Sequence, residues 1–178
     1  MIKGIRNFIL KRKQSKQYRK VQVYNLDTAK TALVLYNFTT ESREKEIRDF
    51  CRFLKEEGIK TSSLAYISKK IKEGEYAPRE ELNYHYFDKS ELNWLRIPKS
   101  DNLKGIIEER YDILIDFNLE ESFPIKWISV LSQASFKVGS SRGYKSESCD
   151  LLMELKEESI ASLQSQCKVY LRMINQKN

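Results

Sequence analysis

YDILIDFNLEESFPIKWISVLSQASFKVGSS, residues 111–141, decides the fold. YDILIDF is a β-rich apolar run that ends in acids. Ser122, Phe123 and Pro124 then supply a capping residue and a proline at a position the first helical turn tolerates. FKVG resumes strand chemistry after Trp127, Val130 and Leu131. A strand, a helix and a second strand in this order describe a parallel crossover, in which the helix carries the chain back to the same end of the sheet.

The same rhythm extends in both directions. KTALVLYNF (Lys30–Phe38) is nearly continuous in apolar character, as a strand covered on both faces must be. Thr39 and Thr40 can cap the next segment, in which Ile47, Phe50, Cys51 and Leu54 recur at helical spacing before Gly58. IKTSSLAYIS and NYHYF read as strands, separated by a charged loop that contains Gly74 and Pro78. SELNWLRIP reads as a short helical turn closed by Pro98, and DNLKGIIEER as a helix. CDLLMEL is the last strand, and Ile160, Leu163, Cys167, Tyr170, Leu171 and Ile174 form the stripe of a closing helix. The expected class is α/β: a single three-layer Rossmann-like domain, with a mostly parallel sheet of about five to six strands and helices on both faces. It is preceded by a basic N-terminal helical arm, so residues 1–22 form the arm and 23–178 the domain.

Charge separates those two parts. The first twenty residues hold Lys3, Arg6, Lys11, Arg12, Lys13, Lys16, Arg19 and Lys20, and the first acid is Asp27. The formal net charge of +7 belongs to this arm, because the remaining 24 basic residues face 25 acidic ones. Ile2, Ile5, Phe8 and Ile9 fall at helical spacing, whereas KRKQSKQYRK has no apolar face. The arm is either a helix packed on the body or an attachment to a polyanion. The polyanion is nucleic acid, RNA on the ribosome or DNA, with an anionic membrane surface as the alternative. Tyr18 among the cations can stack on a base. The polyanion-binding candidates are Lys11, Arg12, Lys13, Lys16, Arg19 and Lys20.

Other functional classes lose ground. No apolar run approaches the roughly 18 residues of a membrane span, and no secretory leader pattern is visible. Cys51, Cys149 and Cys167 are odd in number and widely spaced, with no C-x-x-C pair, which points to a reducing, cytoplasmic setting without a zinc site. Neither a dinucleotide fingerprint nor a phosphate loop follows the first strand, so no cofactor is implied. His85, the single histidine, lies mid-strand between two tyrosines, where packing is the simpler role.

Two stretches retain chemical interest. Asp116, Asn118, Glu120 and Glu121 follow a strand, where ligands of open α/β sheets bind. They are candidates for acid–base or Mg²⁺ chemistry in a small enzyme acting on a phosphorylated or sugar substrate, or they solvate a turn and favour the positive helix end. In GSSRGYKSES, the backbone with Ser140, Ser141, Arg142 and Lys145 has a composition able to hold phosphate, or forms an ordinary loop.

KTALVLYNF, GIKTSSLAYIS, FDKSELNWLRIP, residues 111–140 and YLRMIN together resemble an uncharacterised domain-of-unknown-function family of Bacteroidota. LNWLRIP and FPIKWISVLSQASFKVG carry that likeness most specifically. The resemblance covers nearly the whole chain, implies a bacterial cytoplasmic protein of one domain with a basic arm, and supplies no reaction. YDILIDF, SVLSQAS and FKVG are also similar to the N-terminal half of heptosyltransferase-type glycosyltransferases. Those enzymes need a second such domain, for which this chain has no room, so that likeness implies fold alone.

Overall fold

In the computed structural model, which describes residues 1–174, six strands form one sheet in which every pairing is parallel. The strands are β1 (Thr31–Phe38), β2 (Lys60–Ile67), β3 (Tyr84–Phe87), β4 (Ile113–Asp116), β5 (Phe136–Ser140) and β6 (Leu151–Met153). Their order is β3-β2-β1-β4-β5-β6. The chain builds outward from β1 in one direction, then returns to its other side at β4 and builds the opposite way. That reversal makes a crevice between the carboxyl ends of β1 and β4, the doubly wound Rossmann arrangement.

Helices α1 (Ile2–Ser15), α2 (Glu41–Glu56), α3 (Asp101–Glu108), α4 (Phe123–Leu131), α5 (Lys145–Ser148) and α6 (Ile160–Met173), with a short 3-10 turn at Lys89–Glu91, complete the order of elements. One apolar cluster joins Val34, Ile113 and Ile115 of the sheet to Ile47, Phe50 and Leu54 of α2 and to Leu163, Cys167 and Leu171 of α6. The opposite cluster joins Leu33, Leu35 and Leu114 to Leu103 and Ile106 of α3, Ile125 and Ile128 of α4, and Leu10 of α1. Alternate residues of β1 and β4 feed the two clusters, because successive strand side chains point to opposite faces. The domain therefore has three layers.

Local chemistry explains the element ends. The Thr40 hydroxyl accepts from the Arg43 N–H at 3.2 Å to start α2, and the Ser159 hydroxyl caps α6 through Ser162. Lys137 of β5 is 1% exposed, and its Nζ donates to the Ser129 and Val130 carbonyls at 2.8 and 3.0 Å. It satisfies carbonyls that the last turn of α4 leaves without helical partners. The short helical turn expected in SELNWLRIP is a 3-10 turn at Lys89–Glu91, and it stops before residues 93–97. The Asn93 side chain accepts from the Leu95 and Ile97 N–H groups, at 2.9 and 3.0 Å, and organises an irregular loop instead. Within it Arg96 adopts φ 61°, the only positive φ among the described residues other than glycine.

Candidate functional site at the sheet switch point

Asp116 is the last residue of β4 and has no exposed surface. Its carboxylate accepts from the Asn118 N–H at 3.0 Å and from the Tyr144 hydroxyl at 2.8 Å. Asn118 donates from its amide to the Glu120 carbonyl at 2.6 Å, and Lys145 Nζ donates to the Asn118 carbonyl. A Cβ on Gly139 would lie 3.0 Å from both Lys145 Cγ and Cys149 Sγ, so glycine lets this loop fold against β4. Burial pushes the Asp116 carboxyl upward in pKa, opposed by Lys145, Tyr144 and the Asn118 N–H. Burial, reinforced by Asp116, pushes the Tyr144 phenol well above its ordinary value.

Of the four acidic-turn candidates, Asp116 and Asn118 are thus drawn into a buried lock between two loops. Glu120 and Glu121 face outward, and Glu120 pairs with Arg43 at 3.2 Å. The phosphate-loop candidates are divided in the same way. Ser140 and Lys145 are buried, while Ser141 and Arg142 are exposed and Arg142 pairs with Glu158. They do not form one cradle open to solvent.

The arm is docked along α4. Arg6 stacks over Phe123 at 4.3 Å and Lys13 approaches Trp127 at 5.8 Å. Gln14 and Gln17 donate to the carbonyls of Glu147 and Leu131 at 3.0 and 2.6 Å. Arg19 ends the seam: it donates to the Ala134 and Ser135 carbonyls and makes a two-pronged pair with Asp150 at 2.9 and 2.6 Å. Lys11, Arg12, Lys13, Lys16 and Lys20 remain exposed beside Tyr18, and so do Ile2, Ile5 and Phe8.

Two hollows lie over the carboxyl ends of the strands. The larger, about 710 Å³, is bordered by Phe38, Lys69, Lys70, Lys72 and Tyr76. The smaller, about 270 Å³, lies at the start of α4 beneath Lys3 and Arg6 and is also bordered by Asn37, Tyr66 and Arg96. Ser68 and Glu120 line both, so the hollows adjoin. None of Asn37, Tyr66 and Arg96 stood out in the sequence, because the order of strands decides which loop ends meet. The proline-marked start of α4 was the one available signal.

Glu44, 1% exposed, accepts from Tyr36 at 2.6 Å, from Arg48 at 2.9 Å and from Tyr86. His85 meets Glu80 at 2.8 Å on the edge strand. Burial pushes the Cys51 and Cys149 thiols up to about 12, far from the thiolate a nucleophile requires. Among the described residues no group of three or more His, Cys, Asp or Glu side chains is placed to hold a metal, and no helix is long and apolar enough to cross a membrane.

No curated protein and no solved structure matches the chain. A family match does, and it takes in nearly all of the arm, the whole sheet and the whole closing helix. Across residues 3–174 the chain belongs to DUF6913, a family of unknown function.

Proposed function

We propose that the protein attaches to a polyanion, nucleic acid first, through the outward face of its N-terminal arm. The observation that carries this reading is the division of labour among the arm's cations. Arg19 is consumed in fastening the arm to Asp150, whereas Lys11, Arg12, Lys16 and Lys20 stand in solvent with no ion pair in the described residues. A docked arm loses less backbone freedom on meeting phosphates than a free tail would. Tyr18, 88% exposed, offers a ring for base stacking next to them.

The proposal includes the setting: the cytoplasm of a bacterium of the Bacteroidota, where RNA and ribosomes are the abundant polyanions. The local likeness to heptosyltransferase-type enzymes adds no reaction to it. A second reading is favoured by one specific feature. Met1, Ile2, Ile5 and Phe8 point outward rather than into the body, as a helix resting on an anionic membrane surface would place them.

Fluorescence titration with RNA, DNA and anionic vesicles over a range of salt separates the two. Nucleic-acid attachment predicts affinity that falls steeply with salt, a slope that flattens when Lys11, Arg12, Lys13, Lys16 and Lys20 become Gln, and little response to Ile5→Ser with Phe8→Ser. Vesicle binding lost in that apolar double variant would select the membrane reading. Failure of wild type to bind any of the three at low salt would overturn both.

A further inference from the structure

Buried polar groups are hydrogen-bonded as a rule, because leaving one without a partner costs about 1–3 kcal/mol. Among the described residues, eight buried side-chain polar atoms have no partner. Four of them belong to residues that border the 270 Å³ hollow: Arg6 Nε, Asn37 Oδ1, Tyr66 OH and Ser122 Oγ. Their positions are unrelated in sequence, on α1, β1, β2 and the cap of α4. Asn37, Tyr66 and Ser122 are 6%, 3% and 7% exposed, so bulk water does not satisfy them. Ser122 occupies the N-cap of the nine-residue α4, yet its side chain makes no capping bond.

The charges point the same way. Lys3, Arg6 and Arg96 border the hollow against Glu120 and Glu121, and Glu120 is already engaged by Arg43. Burial and the nearby Arg96 charge both lower the Arg6 pKa, with Glu121 opposing them. Arg96 also acts on Tyr66, whose phenol burial pushes upward. Two guanidinium groups therefore border one small hollow, in front of the positive end of a helix. Cations and orphaned hydroxyls around one small space describe a site built for an anion that has several acceptor oxygens.

We infer that this hollow binds the phosphoryl group of a small phosphorylated molecule. Arg6, Arg96 and Lys3 neutralise its charge. Tyr66 and Ser122 donate their hydroxyl hydrogens and Arg6 its Nε–H to phosphate oxygens. Asn37 meets a phosphate hydroxyl through its amide oxygen or, with the amide turned over, an oxygen through its N–H. The organic part extends past Ser68 and Glu120 into the 710 Å³ hollow, between Phe38, Tyr76 and the lysines that follow β2. The site uses the inward face of the arm and none of the outward cations assigned to polyanion attachment, so either reading can fail without the other.

The test uses the full chain, with calorimetric titration of inorganic phosphate, AMP and adenosine against chloride at matched ionic strength. Phosphate and AMP should bind and adenosine should not. Tighter binding of AMP than of phosphate assigns the larger hollow to the organic part, and equal binding assigns the site to the free anion. Arg6→Gln should abolish binding, and Tyr66→Phe and Ser122→Ala should each weaken it by about tenfold. The diagnostic readout is stability without ligand. A hydroxyl serving the fold destabilises the protein when removed, whereas one reserved for a ligand leaves the melting temperature unchanged or raises it, and the latter is expected for Tyr66→Phe and Ser122→Ala. Absence of phosphate and AMP binding at ~10 mM, binding indifferent to all three substitutions, or a clear fall in melting temperature in both hydroxyl variants would each overturn the assignment.

Discussion

Tyr144 donates its phenolic hydrogen to Asp116 at 2.8 Å, between two side chains that are 4% and 0% exposed. The pair ties the loop after β5 to the carboxyl end of β4. Burial raises the folded-state pKa of Asp116 above its unfolded value. Its contribution is therefore fully present below the ordinary carboxylate pKa, near 4, and is lost as pH rises through the folded-state value, since the unfolded chain ionises first. The stability of wild type relative to Asp116→Asn should decline over that rise. Urea unfolding of both proteins between acidic and neutral pH measures it, and a constant difference would show that the carboxyl does not titrate differently on folding.

Lys137 gives a pH dependence of opposite sign. Burial, with the Arg19 charge adding to it, lowers its folded-state pKa to about 7. Below that value the lysine is charged in both states and the cost of burying the charge is fully felt. Between about 7 and the usual lysine value near 10.4 the unfolded chain holds the extra proton, so stability rises with pH. Lys137→Met should flatten the rise between pH 7 and 9 (about two units of the window), as followed by chemical denaturation.

Glu44 is a structural hub. Glu44→Ala strips Arg48 of a partner and leaves two tyrosine hydroxyls short of an acceptor, which should cost about 3 kcal/mol. Adding Tyr36→Phe to that variant should cost less than it does in wild type, because the hydroxyl no longer has its acceptor. Additive losses in the double-mutant cycle would deny the coupling.

Arg19 should separate from the other cations of the arm in its effect on folding. Its side chain and that of Asp150 are only 19% and 18% exposed, and it also serves two carbonyls. Arg19→Ala should cost about 2 kcal/mol and raise hydrogen exchange in residues 2–15, while Lys16→Ala and Lys20→Ala stay within about 0.5 kcal/mol. Equal effects at all three positions would mean that the clamp does not hold the arm.

The sheet was legible because β1, β2 and β4 are short apolar runs bounded by turn chemistry and alternate with helices of clear period. The lock around Asp116 and the crevice were not, since both depend on residues brought together by strand order. Asp116 meets Tyr144 across 28 residues, and Arg6 of the first helix meets Phe123 of the fourth. The helical turn in SELNWLRIP is shorter than its sequence suggested for a local reason: the Asn93 side chain captures backbone N–H groups that a longer helix would need. Glu44 did leave a trace, an acid three residues before Ile47 in the apolar stripe of α2, where a buried partner was required.

The clamp between Arg19 and Asp150 spans 131 residues, and the neighbouring bond from Gln14 to Glu147 spans 133. The arm precedes β5 and the loop beyond it in the chain, so it has nowhere to sit until they have been translated. Seating the arm then also places Lys3 and Arg6 at the rim of the smaller hollow, so that rim is complete only after the chain beyond β5 has been made.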